Sequence, residues 1–310
     1  MEKKEMEEIY NRPLLALISD AHEIHKKHHV IGEVQTCALI SFKTGGCQEN
    51  CKYCSQSAHY QTEVSPLPLM QKEELLKAAK QAIQSGASRI CIGAAWREVR
   101  DGKAFDAILT SVSAVADLGV EVCCTLGMLT EEQAQKLKKA GLYAYNHNLD
   151  TSREFYPHIV TTRTYDDRLR TLDCVETAGL SLCSGGILGM GESPEDRISL
   201  LHTLVSRGKT PDSITINLLS HVPGTPLANQ LPLPIWDVLR TLATARIVAP
   251  TSKVRLSAGR SRMSLSEQAL SFFAGVNSIF IGEKMLTTAV PNPSYAQDEE
   301  MFFLLGLKKC

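Results

Sequence analysis

The sequence predicts an α/β fold, a closed (β/α)8 barrel with an N-terminal helical extension. Three observations predict it. Eight short apolar, β-rich runs recur along the chain, each is followed by a longer stretch with apolar residues at three- and four-residue spacing, and several boundaries carry helix caps or helix-ending glycines. Consecutive strands joined through a helix run in the same direction, so the sheet is expected to be parallel. Eight such units suit a closed TIM-type barrel; an open doubly wound sheet is the competing arrangement.

In chain order, residues 1–30 form the helical extension. Strands are expected near 34–41, 89–94, 120–125, 142–148, 181–185, 213–218, 253–257 and 277–281. Helices are expected near 70–85, 104–118, 130–140, 165–178, 193–206, 232–248, 264–274 and 296–306. Thr130 with Gln133 three residues on forms a capping-box pattern, while Gly86, Gly119, Gly141 and Gly179 stand where helix must give way to strand. Residues 282–295, with Pro291 and Pro293, read as a loop. No low-complexity tract or long linker divides the chain, so 31–310 is expected to be one barrel domain.

Composition excludes several classes of function. The 310 residues carry 33 Lys+Arg against 34 Asp+Glu, which leaves no electrostatic footprint for nonspecific nucleic-acid binding. A hydrophobic fraction of 44% with 22% charged residues is not the signature of disorder. No apolar run reaches the roughly 18 residues needed to cross a bilayer, and the charged start followed by the short run Leu14–Ile18 is not a secretory signal. A cytoplasmic location without membrane contact is therefore expected. Ten cysteines in that compartment point to metal or redox chemistry and not to a disulfide framework.

The sharpest local signal is Gly45-Gly46-Cys47-Gln48-Glu49-Asn50-Cys51-Lys52-Tyr53-Cys54, three thiols spaced Cys-x3-Cys-x2-Cys directly after strand one. Such a loop can wrap three ligands around one centre, at the strand end where barrels place their chemistry. Thiolates suit iron-sulfur clusters or zinc; three thiols on a cube of four irons leave one iron open to an exogenous ligand. A structural zinc site completed by His59 is the competing reading of this segment.

Strand parity supplies a second signal, since alternate residues of a barrel strand face its interior. Arg89 shares a face with Cys91, Cys123 with Thr125, Asn146 with Asn148 and Asp150, Ser181 with Cys183, Ser213 with Thr215 and Asn217, and Arg255 with Ser257. Ordinary barrel interiors are filled by Val, Ile and Leu, so this one is expected to enclose something polar. Cys91, Cys123 and Cys183 then converge from three strands with Arg255 opposite them, a ligand set for a second centre; taken one at a time each also reads as a small buried hydrophobe, a reading weakened by their shared parity with polar neighbours. Cys37, Cys124, Cys174 and Cys310 read instead as small buried or incidental residues. The glycine-rich stretch Gly185–Glu192 matches neither a dinucleotide fingerprint nor a phosphate loop, and no Gly-x-Ser-x-Gly elbow is present.

The thiol triplet with Tyr53 before its third cysteine resembles the signature of radical S-adenosylmethionine enzymes. Further segments narrow the resemblance. Cys51-Lys-Tyr-Cys54-Ser-Gln-Ser, Cys91-Ile-Gly-Ala-Ala-Trp96, Tyr145-Asn-His-Asn-Leu-Asp-Thr151, Cys183-Ser-Gly-Gly-Ile187 and Val254-Arg-Leu-Ser-Ala-Gly-Arg260 together resemble the biotin synthase family, over about residues 10 to 307. The resemblance implies a homodimeric barrel enzyme, a sulfurtransferase that inserts sulfur into dethiobiotin to make biotin, the last step of biotin biosynthesis. It implies that Cys47, Cys51 and Cys54 hold a [4Fe-4S] cluster that chelates S-adenosylmethionine, and that Cys91, Cys123, Cys183 and Arg255 hold a [2Fe-2S] cluster. It further implies that Asn148 and Asp150 bind the adenosyl ribose, Arg168 the methionine carboxylate, Tyr53 the adenine side, and Asn148 with Asn217 the dethiobiotin ring. A reductant such as flavodoxin or ferredoxin is implied as the electron source. No side chain is expected to act as a catalytic acid or base, because an unactivated C–H bond is opened by cofactor-borne radical chemistry.

Overall fold

A computed structural model describes residues 1–282 and 293–310. Its strands are β1 (Glu33–Lys43), β2 (Arg89–Ala94), β3 (Glu121–Thr125), β4 (Ala144–Asn146), β5 (Ser181–Leu188), β6 (Ser213–Leu218), β7 (Lys253–Leu256), β8 (Ser278–Ile281) and the short β9 (Lys308–Lys309). Hydrogen bonding runs from β2 in order to β8, then to β1, and β1 also pairs with β2. Every pairing is parallel, so eight strands close on themselves and the open-sheet alternative is removed. Strand β9, absent from the sequence reading, pairs with Glu33 and Val34 at the start of β1.

The helices are α1 (Lys3–Tyr10), α2 (Leu14–His28), α3 (Lys72–Gln84), α4 (Lys103–Ala116), α5 (Glu131–Lys139), α6 (Tyr156–Ile159), α7 (Tyr165–Thr177), α8 (Pro194–Ser206), α9 (Ile235–Val248), α10 (Leu265–Phe273) and α11 (Tyr295–Leu305). Capping explains where many of them begin. Thr130 and Gln133 form the expected capping box, and the same reciprocal pair recurs at Thr164/Asp167, Ser193/Asp196, Ser264/Glu267 and Ser294/Gln297. Gly86, Gly119, Gly141 and Gly179 have φ of +91°, +79°, +93° and +69°, the left-handed turn that ends a helix. The expected loop at 282–295 lies largely outside the described residues.

The main apolar core lies between the barrel wall and the helices that surround it, with Ile90, Ile92, Val122, Leu182, Ile214, Ile216, Val254 and Ile279 all pointing outward into it. The extension is two helices, not one, because Pro13 interrupts the pattern: it has no N–H to continue α1, and its fixed φ starts α2. Leu17, Ile18 and Ala21 of α2 pack on Leu239 and Ala243 of α9. Tyr10 reaches across to Arg197, whose Nε donates to the phenol oxygen at 3.0 Å.

The same docking buries a titratable group. His25 of α2 is 4% exposed, and neither ring nitrogen has a hydrogen-bond partner. Burial, assisted by the charge of Arg246, lowers its pKa from 6.5 to about 3. The folded chain thus holds a neutral imidazole that the unfolded chain would protonate below pH 6.5. Stability from this site is complete above that value and is lost as pH falls from 6.5 toward 3. Between pH 7 and pH 5 the expected loss from this group is about 2 kcal/mol. Urea unfolding at the two pH values should show a larger loss in the native chain, where His29 and His147 are lowered in the same direction, than in His25→Leu; equal losses would refute the assignment.

Candidate functional site

Two groups of thiols lie at different depths of one barrel. The upper group sits in the loop after β1. Gly45 and Gly46 both adopt φ +71°, which turns the chain back over the strand end, and a Cβ on Gly45 would stand 2.8 Å from Pro66 Cα. Cys47 N donates to Gln56 O at 2.9 Å, Ala58 N to Cys47 O at 2.7 Å, and Cys54 N to Cys51 O at 2.9 Å, so Cys47, Cys51 and Cys54 lie on one self-bonded loop. Burial raises the pKa of all three, that of Cys54 to about 12. They are thiols in the folded chain, and a metal that binds them must displace their protons.

Several residues that the sequence reading did not single out fasten this loop. The Glu49 carboxylate is buried between Arg97 at 3.4 Å and Arg163 at 3.7 Å, and it accepts from the Thr162 hydroxyl. Asn50 exchanges hydrogen bonds with Thr161, donating through Nδ2 at 2.6 Å and accepting from its N–H at 3.0 Å. Among the described residues no group of three or more His, Cys, Asp or Glu is arranged to hold a single metal ion. The ring of His59 contacts the carbonyl of Gln48 at 3.0 Å. Three thiols on one self-bonded loop are the donor type an iron-sulfur cluster takes, and His59, bonded to Gln48, is not joined to them.

The lower group lies inside the barrel. Cys91 and Cys123 are register partners on β2 and β3, and Cys183 on β5 joins them in one buried cluster with Ala144 and Phe280. Cys37 of β1, set aside in the sequence reading, belongs to the same cluster. Its alternation with Gln35 and Leu39 was the available signal: the register Cys37↔Arg89 and Leu39↔Cys91 puts it on the inward face. Cys124 points outward into the main core, as its parity predicts.

Two arginines border the thiols. Arg89 is 4% exposed; its Nη1 donates to Cys183 Sγ at 3.4 Å and its Nε to Glu121 at 2.8 Å. Arg255 is 1% exposed; its Nε donates to Ser278 Oγ at 2.9 Å and its Nη2 to Gln35 Oε1 at 3.1 Å. Buried guanidinium groups need compensating charge, and Glu121 supplies only one carboxylate for the two. The hydroxyls of Ser181, Ser213 and Thr215 are buried without a partner in the same region. Four thiols, two cations and three unmatched hydroxyls form an interior that suits a polar, anionic, sulfur-ligated group, as parity predicts.

The segment after β4 closes the site from the side. The strand ends at Asn146, two residues earlier than the sequence reading, so Asn148 and Asp150 belong to a loop and alternation does not govern them. Asp150 has φ +69° and forms a bridge with Gly186, where a Cβ would meet Asp150 O at 2.7 Å. Glycine there lets the loop fold onto β5, which extends through Gly185 and Gly186 to Leu188. Asp150 Oδ2 accepts from Tyr53 Oη at 2.7 Å and pairs with Arg168. Arg168 also donates through Nε to Tyr156 Oη at 2.8 Å and through Nη1 to the carbonyl of Asn148. Three residues named from the sequence, Tyr53, Asp150 and Arg168, are thus one bonded unit. Asn148 Oδ1 is buried without a partner. Asn217 donates to Gly186 O at 3.1 Å and accepts from Ala258 N at 3.3 Å, which leaves it one further N–H and one further lone pair.

The radical SAM superfamily model matches residues 41–204, and the biotin and thiamin synthesis associated domain matches 215–308. The chain is 56% identical over 308 residues to the biotin synthase of Nostoc sp., covering 99% of this chain and 92% of that one. It is 53% identical over 306 residues to the mitochondrial biotin synthase of Arabidopsis thaliana, covering 98% and 80%. Among solved structures, methylornithine synthase superposes with a TM-score of 0.83 at 16% identity, covering 100% of this chain and 94% of that one. The FeFe-hydrogenase maturase of Carboxydothermus hydrogenoformans superposes with a TM-score of 0.81 at 17% identity, covering 100% and 76%. At those identities the structures speak for the barrel fold alone. Near-full-length identity above half, together with both domain matches, makes this chain a member of the biotin synthase family of radical S-adenosylmethionine enzymes.

Proposed function

We propose that this chain inserts sulfur into dethiobiotin to form biotin, with a cluster at the barrel mouth and a second cluster in the lumen. The observation that carries the reading is the pairing of a three-thiol loop at the strand ends with a separate ring of buried thiols beneath it. Bound to these residues, a [4Fe-4S] cluster with S-adenosylmethionine supplies a radical able to open an unactivated C–H bond, and a [2Fe-2S] cluster supplies sulfide.

The chain's own residues bind, orient and exclude water. Cys47, Cys51 and Cys54 hold the upper cluster, and the Glu49 pairs with Arg97 and Arg163 keep their loop from shifting. Cys91, Cys123 and Cys183 hold the lower cluster, with Arg255 as the fourth member of the set. Asp150 orders Tyr53 and Arg168 through one oxygen, so that Tyr53 faces the adenine side, Arg168 the methionine carboxylate, and Asp150 with Asn148 the ribose. Asn148, with its unmatched carbonyl oxygen, and Asn217, with spare donor and acceptor capacity, take the polar ring of dethiobiotin. No side chain serves as acid or base; the protein contributes position and a dry lumen. A soluble cytoplasmic homodimer reduced by a flavodoxin or ferredoxin, with no nucleic-acid or membrane partner, completes the reading. Its two parts are an extension over 1–30 and a barrel over 31–310.

Anaerobic reconstitution should give about six irons per chain, and 5'-deoxyadenosine should accumulate only when dethiobiotin is supplied. Four irons with cleavage indifferent to dethiobiotin would assign a different substrate. Arg255→Ala should change the visible and Mössbauer spectra of the lower cluster and leave those of the upper one intact. Asp150→Asn removes the charge that orders Arg168 and Tyr53, and should weaken S-adenosylmethionine binding roughly ten- to a hundredfold with both clusters retained; unchanged binding would exclude Asp150 from that role.

A further inference from the structure

We propose that Cys37 is a reserve ligand for the lower cluster, able to take the iron position assigned to Arg255. The inference rests on the two-cluster reading and deepens it. Four lumen thiols, not three, belong to one buried cluster on the inner wall: Cys37 on β1, Cys91 on β2, Cys123 on β3, the register partner of Cys91, and Cys183 on β5. The arginines lie at the two ends of this chain of sulfurs. Arg89 donates to Cys183, and Arg255 occupies the Cys37 end.

Cys37 and Arg255 share their supports. The thiol of Cys37 contacts Gln35 Oε1 and Ser278 Oγ, each at 3.8 Å, and these are the two atoms to which Arg255 donates. Residues Gln35 and Ser278 are register partners where β1 meets β8, and the partner of Cys37 in that pairing is Phe280, whose ring lies 5.3 Å from the Arg255 guanidinium. One point on the wall therefore carries two potential donors to the same iron. Their chemistry is unequal. A guanidinium has donor hydrogens and no lone pair to spare, and must lose a proton to ligate iron, whereas a thiolate is the ordinary ligand of a two-iron cluster. With Arg255 in place, its charge and its bonds to Gln35 and Ser278 hold that point of the wall; with it removed, Cys37 is the donor that remains beside those two residues. The exchange is a ligand substitution without electron transfer: the Cys37 thiol gives up its proton and its sulfur bonds iron, while the iron's bond to the Arg255 nitrogen breaks and the guanidine takes up a proton; in Arg255→Ala the ligand that leaves is a solvent molecule.

The test is the iron and acid-labile sulfide content of the anaerobically reconstituted full chain, with its visible spectrum, for Cys37→Ala, Arg255→Ala and the double variant. Cys37→Ala should keep about six irons, Arg255→Ala about six with a shifted lower-cluster spectrum, and the double variant about four, all of them in the upper cluster. Loss of the lower cluster from Arg255→Ala alone would overturn the proposal, as would a double variant that keeps six irons. A native chain that binds only four irons would instead defeat the two-cluster reading, a distinct result. Mössbauer spectra of Arg255→Ala add a measurement that does not depend on folding of the double variant. Two lower-cluster irons in sulfur-only sites support the exchange, and one iron in a site with oxygen or nitrogen overturns it.

Discussion

Two guanidinium groups inside a barrel are the constraint around which this structure is arranged. Arg89 and Arg255 are nearly fully buried on the inward face of β2 and β7, where another barrel would carry branched aliphatic side chains. Each is held by hydrogen bonds to neighbouring strands: Arg89 to Glu121 of β3, and Arg255 to Gln35 of β1 and Ser278 of β8. Gln35 also donates to Glu121 at 3.1 Å, so the two cations are joined through one amide and one carboxylate. That network engages both cations but leaves excess positive charge, which the sulfur-rich wall beside it is suited to balance. The barrel's apolar stabilisation is consequently moved outward, to the layer between strands and helices.

The site above the lumen obeys a related rule, in which charge is used to hold loops. The three-thiol loop has little apolar surface with which to anchor itself. Glu49, though acidic, is buried there because two arginines and a threonine hydroxyl surround it. Asp150 does the same for the loop after β4, drawing Arg168 from α7 and Tyr53 from the thiol loop onto one oxygen. The Glu49–Arg163 and Asp150–Arg168 pairs are shielded from solvent, so they fix orientation more firmly than pairs on a protein surface would, while Arg97 reaches Glu49 from a partly exposed position. Two loops and one helix are thereby joined to each other through side chains of the protein alone, the kind of preorganisation a site that orients a ligand requires.

Much of this was legible in the sequence. Periodicity and caps located eight strands and their helices, because alternation of burial is imposed by the backbone geometry itself. Parity identified Cys91, Cys123, Cys183 and Arg255 as inward-facing, and the register of β2, β3, β5 and β7 agrees. It failed in two instructive places. Beyond Asn146 the strand has ended, and the positive φ of Asp150 comes from contact with Gly186, a tertiary cause that no local pattern encodes. Cys37 was passed over although its strand alternates, because single cysteines are so often plain core residues that parity on β1 was not applied to it. Glu49 and Glu121 were missed for a different reason: a carboxylate looks like a surface residue until its cationic partners, distant in sequence, are folded against it.

Closing the barrel and assembling the lower site are the same event. The region matched by the radical SAM superfamily model supplies Cys91, Cys123 and Cys183, while the region matched by the associated domain supplies Arg255 and Ser278. Neither region alone surrounds the lumen. They meet on β1, which pairs with β2 on one side through Cys37↔Arg89 and with β8 on the other through Gln35↔Ser278. If β1 left the sheet, Arg255 would lose Gln35, Arg89 would lose its neighbour Cys37, and the ring of sulfurs would open at one end. A parallel closing strand is held by pairings distant in sequence, so its docking depends on contacts that exist only when the rest of the barrel is in place. Hence the polar residues that line the lumen come together only when the chain has finished folding, and a group bound across β1, β2 and β5 would strengthen the seam that closes the barrel.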